Sequence, residues 1–328
     1  QTDGAHNTVI GYQAMDAADS GESNNIVIGS GAAGAMNTAT CDNNVIIGKD
    51  AGIGGVATIA SCVAIGASAM TATGNIGGSD SVFIGKDSGS GTWATAGSDD
   101  NTAVGSGSMA GAMNGCAGNT AIGKGAGAAL TTADYNTLVG RSAGATLSSG
   151  HTNTIIGVSA GDASAGIAQA VIVGASACSS DMGGDANGTI AIGYGTLTSL
   201  SDGQRNIAIG YQAMDSAGNI DDCIAIGLDA MGAAAGSTAV NNIAIGNYAM
   251  DGYGDVGCSQ NVAVGNSALS CLGTYAGDVI TSGGSNIVIG YASDPAAADT
   301  DNAIVLGINI AGAANDFSFG KQSHVVSN

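Results

Sequence analysis

Seven cysteines, three histidines and 26 acidic side chains are the groups in this chain able to ligate a metal, attack a substrate or carry a proton. Their spacing supports none of these. His6, His151 and His324 are scattered, with no pair at a metal-ligand interval. GGSD (77–80), GGDA (183–186) and DGYGD (251–255) resemble calcium-binding turns but do not recur every nine residues, so they read as solvated loop aspartates. A structural calcium ion is the one cofactor they would suit. No two carboxylates stand out from the loop background as an acid–base pair. No serine sits in a G-x-S-x-G elbow between a strand and a helix. The expectation is no catalytic residue, no metal and no cofactor.

Charge narrows the partners. The net charge is −20 with only six basic residues. A chain so short of Lys and Arg does not hold nucleic acid by its phosphates, and anionic membranes repel it. Neutral or cationic surfaces, glycans and divalent cations remain. No run of about 18 apolar residues is present, so no membrane insertion as a helix is expected.

The elements that would position any binding group come from a repeat. IGYQAMD occurs at 10–16 and again at 209–215. It is one copy of a motif centred on a glycine preceded by three apolar or Thr residues. Gly11, Gly29, Gly48, Gly66, Gly85, Gly105, Gly123, Gly140, Gly157, Gly174, Gly193, Gly210, Gly227, Gly246, Gly265, Gly290 and Gly307 mark seventeen copies. Their spacings are mostly 17 to 19 residues, with one of 20 and one of 25. With the motif Gly as position 0, position −1 is Ile, Val or Leu throughout and position −3 is Ile, Val or Thr. β-Branched residues at alternate positions predict a strand. Position −2 is also apolar, so both strand faces are dry. Position −4 is Asn in eleven copies, among them Asn7, Asn25, Asn44, Asn101, Asn206 and Asn242. An Asn there suits a strand-entry turn and tolerates left-handed angles. The Gly itself calls for positive φ or close backbone approach.

Position +3 is Ala in twelve copies, which predicts a second short strand. A unit this short cannot bury its own face and must stack on its neighbours. The reading is all-β: a parallel β-roll or β-solenoid of about 17 coils, residues 1–312, followed by a transition segment, 313–328. At ~4.8 Å per coil the rod would be roughly 80 Å long. The second dry face would leave a greasy stripe, which three side-by-side copies would bury.

NIAIGYQAM (206–214), CVAIGASAM (62–70) and NTAIGKGAG (119–127) resemble the head repeats of trimeric autotransporter adhesins, the YadA-like left-handed β-roll, and repeat regions of phage tail fibres. NDFSFGKQSHVVSN (315–328) looks like the stretch before an endosialidase-type intramolecular chaperone of phage tail proteins. The resemblance implies a homotrimer, left-handed coils and attachment to host surfaces. The expected function is a structural and adhesive segment of a phage tail fibre or similar virion appendage. Its partners would be other fibre proteins and a host glycan or protein. A cleaved, mature product is one expectation from the C-terminal stretch. An alternative is an autotransporter-type adhesin on a bacterial surface.

Two further alternatives stay open: a glycan-cleaving spike, and a single-chain solenoid binding ice or another surface through Thr rows. Against ice, Thr8, Thr102, Thr120, Thr137 and Thr154 fall in what reads as a core column.

Binding groups are expected in loops that break the pattern. These are the segment 90–100 with Trp93, the turn holding Tyr253, and the 270–285 insertion with Tyr275 and Asp278. An exposed Trp or Tyr stacks on sugar faces; Trp93 has the alternative of covering a groove between copies. Lys49, Lys86, Lys124 and Arg141 occupy position +1, as do Tyr12, Tyr194, Tyr211 and Tyr291. That column is expected to face outward, with its bases pairing to acids of neighbouring coils. The cysteines, odd in number, read as small buried hydrophobes.

Overall fold

The computed structural model describes the chain except residues 1–3, 19–20, 55–58, 72–77, 94–95, 183–185, 233–238, 253–257, 271–282, 296–299, 322–323 and 328. The chain divides into two units, Gln1–Gly166 and Ile167–Asn328. Each is a parallel β-solenoid, and the described residues include no helix.

Every motif Gly is preceded by a strand at positions −3 to −1. In the first unit these run in register from Thr8–Ile10 against Ile26–Ile28 to Thr137–Val139 against Thr154–Ile156. In the second they run from Val171–Val173 against Ile190–Ile192 to Ile287–Ile289 against Ile304–Ile308. Parallel pairing then continues to Phe317–Lys321, beyond the expected roll end at 312, and closes with the antiparallel strand His324–Ser327. Gly320 pairs with Gly307 and has a φ of 132°, so Phe317-Ser318-Phe319-Gly320 is a further copy of the motif.

The inward column is position −2. Val27, Ile46, Ala64, Phe83, Ala103 and Leu138 are fully buried. Positions −3 and −1 flank it on the outer face and are half-exposed or exposed in nearly every strand. The Thr column is therefore an outer column, not a core one. This reverses the sequence expectation for Thr8, Thr102, Thr120, Thr137 and Thr154.

The motif Gly is required twice over. At Gly66 φ is 138°, and a Cβ there would lie 2.5 Å from the carbonyl oxygen of Gly85 in the next coil. The expected second strand is present in the Gly290 and Gly307 coils, where Asp294–Pro295 pairs in parallel with Ala311–Gly312; in the other described coils a tight turn stands there instead. At the 105 copy, the N–H of Ser108 bonds back to the Gly105 carbonyl, while Gly107 and Met109 take φ of 66° and 47°. The Met109 N–H then bonds to Ala126 of the next coil at 3.0 Å. A non-Gly residue in the left-handed region costs about 1–2 kcal/mol. Burying a Met side chain returns about 1.5–3 kcal/mol. Burial wins, which accounts for buried, left-handed Met70, Met109, Met214, Met231 and Met250 at position +4.

The Asn at −4 does not itself hold the left-handed angle. That falls at −5, where Asn24, Asn43, Asp100, Tyr135 and Arg205 have φ of 54–62°. The Asn side chains turn inward and are buried. Each Oδ1 accepts the backbone N–H at −4 of the next coil, as Asn25 does from Asn44 and Asn101 from Asn119. Each Nδ2 donates to the carbonyl at −7 of the next coil: Asn25 to Cys41, Asn101 to Cys116, Asn242 to Cys258. The ladder thus stitches coil to coil inside a thin core.

Candidate binding surfaces

In the second unit, positions −3 and −1 of the eight strands from Val171–Val173 to Ile304–Ile308 are all Ile, Val or Leu, and none is buried. Ile192, Ile226, Ile245, Ile287, Ile289 and Ile304 are each 37–43% exposed. Sixteen such side chains on one continuous face approach the ~800 Å² that each partner loses in a standard interface. In the first unit the same face carries the ladder Thr102, Thr120, Thr137 and Thr154, in register over four consecutive strands. Val104, Ile122, Val139 and Ile156 lie beside them.

Position +1 faces outward, as expected. Tyr12, Tyr194, Tyr211 and Tyr291 are 51–75% exposed. The basic members pair differently from expectation. Lys49 contacts Asp50, and Lys86 lies 2.9 Å from Asp87, each the next residue of its own coil. Among the described residues the pair that does join coils is Arg205 with Asp222, closed by Nε to Oδ1 at 2.6 Å and a second guanidinium N–H to Oδ2 at 2.7 Å. That bond holds the Asp222 carboxyl below its ordinary range and raises the guanidinium.

Tyr194 and Tyr211 occupy successive coils, with ring centroids 5.4 Å apart and planes 16° apart. Phe317 and Phe319 also stack, at 5.6 Å and 26°, on exposed positions of the last motif copy.

Trp93 is not exposed. It is 1% accessible and meets Phe83 at 5.9 Å and 56°. As a core residue it offers no face to a sugar, which corrects its place among the binding candidates. Tyr253, Tyr275 and Asp278 lie outside the described residues.

Several aspartates do structural work. At position −6, Asp42, Asp99, Asp134, Asp221 and Asp301 accept the backbone N–H of the preceding coil at 2.6–2.7 Å. Nothing in composition marked this column. Its signal is the recurrence of Asp six places before the motif Gly. Among the described residues no three His, Cys, Asp or Glu side chains are grouped as a metal site. Nor is any helix long and apolar enough to cross a membrane.

Six cysteines are described, all buried and none in a disulfide. Burial pushes the Cys62 thiol up to about 11, and raises Cys116, Cys178 and Cys223 as well. Cys62 and Cys223 stand in the Asn column and take over half of its role. Their thiols lie 3.3 Å from the Gly78 carbonyl and 3.7 Å from that of Ala239, the −7 carbonyls of the next coils.

No family description, curated protein or solved structure matches the chain.

Proposed function

We propose that the chain is a structural and adhesive segment of a fibre, a phage tail fibre or similar virion appendage. In this reading three copies associate through the outer faces of their sheets. The observation that carries it is the uncharged, aliphatic outer face of the second unit. Water-exposed stripes of this extent mark contact surfaces. Like-charged copies at −20 each can approach only where the charge is absent, and positions −3 and −1 are such a place. The resemblance of the repeat and of residues 315–328 to fibre proteins supports the virion setting and the left-handed coil.

The adhesive mechanism is multivalent contact, with three weak sites raising avidity together. Light scattering after size-exclusion chromatography tests the association. A mass near three times 31.1 kDa is expected. Ile207→Asp with Ile243→Asp, on the outer face, should return the mass to that of one chain while leaving the β-rich circular dichroism spectrum unchanged.

One observation favours a second reading. The outward Thr ladder from Thr102 to Thr154 offers a regular two-dimensional array of methyls and hydroxyls. Such an array suits ordered water, so a single-chain form would bind ice. A monomeric mass together with thermal hysteresis would replace the fibre reading with this one.

A further inference from the structure

The geometry points to a glycan subsite on the stacked pair Tyr194 and Tyr211, one that takes a neutral pyranose ring. The inference rests on the adhesive reading above and names its ligand class. Of the four Tyr at position +1, these two alone fall in successive coils. Backbone bonds fix the order of the column: Gly195 N–H to the Ala175 carbonyl, Gln212 N–H to that of Tyr194, and Asp229 N–H to that of Tyr211. The rungs are therefore Ala175, Tyr194, Tyr211 and Leu228. On one side the aromatic stack ends against Leu228. On the other the next rung is Ala175, a single methyl. Coils repeat every ~4.8 Å, so the position beside Tyr194 is one ring thick and lacks a ring. A pyranose presenting its axial C–H bonds can occupy that rung as the next member of the stack. Aromatic faces attract such partially positive hydrogens.

Charge suits a neutral sugar. The chain carries −20 with only six basic residues, which repels sulfates and uronic acids. Arg205, the cation of the Tyr211 coil, is already bound by Asp222. Neutral hexoses and N-acetylhexosamines are therefore the class selected.

The test applies the full chain to an array of neutral hexose and N-acetylhexosamine oligosaccharides beside sulfated and uronic-acid ones. Retention on neutral members is expected, weakened at least tenfold by Tyr194→Ala with Tyr211→Ala. Tyr194→Phe with Tyr211→Phe should retain it, as should Tyr12→Ala at an isolated Tyr. Failure to bind any neutral glycan would overturn the proposal. So would retention confined to charged glycans, or binding indifferent to the double Ala variant. Solution mass is read on every variant. A trimeric mass with any of those results removes the subsite and leaves the fibre intact, whereas a monomeric mass removes the fibre reading itself.

Discussion

The side-chain oxygen of Asn119 accepts two hydrogen bonds from Asn136, one from its Nδ2 and one from its backbone N–H, both at 3.0 Å. The Nδ2 of Asn119 donates in turn to the Ala133 carbonyl at 2.7 Å. One buried side chain thus joins its coil to the next at three points. Asn119→Ala would strand a buried N–H and a buried carbonyl. Each orphaned group costs about 1–3 kcal/mol, so a loss of several kcal/mol is expected in denaturant unfolding. Asn119→Asp keeps one acceptor but sets a buried carboxyl oxygen against the Ala133 carbonyl and should cost at least as much. Equal stability of all three proteins would show that the ladder contributes nothing.

The same ladder is interrupted at Cys223, between Asn206 and Asn242. The thiol reaches the Ala239 carbonyl weakly and lies 3.9 Å from the Nδ2 of Asn242. Cys223→Asn would supply a proper donor and acceptor at the same rung. The expected gain is about 0.5–1.5 kcal/mol per restored bond, read as a rise in denaturant midpoint at constant slope. Raised and buried, the thiols of Cys62, Cys116, Cys178 and Cys223 should also resist iodoacetamide at neutral pH until the chain unfolds.

Gly140 and Gly107 separate two costs of a side chain. Both have positive φ, at 135° and 66°. A Cβ on Gly140 would overlap the carbonyl of Gly157, whereas one on Gly107 meets nothing within 4 Å. Gly107→Ala should cost about 1–2 kcal/mol, the left-handed penalty alone. Gly140→Ala must also push two coils apart and should cost several times as much. Matching midpoints for the two variants would mean that the close approach is not a constraint.

Much of this fold was legible because the repeat forces identical chemistry onto each rung. The motif Gly, the branched residues around it and the Asn column are visible without coordinates. What failed was the assignment of inside and outside. Positions −3, −2 and −1 are all apolar, so hydrophobicity could not say which faced the core; the small Ala at −2 in Ala103, Ala191 and Ala208 was the clue, since a thin core needs small residues. The turn after the Gly stayed hidden because Gln13 and Met15 take left-handed angles that their types do not advertise. Phe317 and Phe319 concealed the last copy by standing where branched aliphatics are the rule. Trp93, in a Gly- and Ser-rich loop, gave no sign that it would turn in against Phe83. Of the candidate site, the outward +1 column was readable, but stacking of Tyr194 on Tyr211 depends on coil register, which spacing alone does not fix.

Asp294 gives the chain a pH dependence of definite sign. Its carboxyl is largely buried, and Oδ1 has no hydrogen-bond partner. Burial pushes it up to about 7, against the opposing effect of a backbone bond from Ser270. A raised folded value means that the folded chain holds the proton more tightly than the unfolded chain does. Stability is therefore greatest below the ordinary carboxylate range near 4, falls as pH rises, and reaches its floor above about 7. At about 1.4 kcal/mol per pH unit the loss amounts to a few kcal/mol at most. Asp294→Asn carries no charge at any pH. It should flatten the stability profile between pH 4 and 7 and make the variant more stable than the parent at pH 8. A parent profile that rises with pH across that window, or an Asn variant less stable at pH 8, would show that the carboxylate is solvated or paired when ionised.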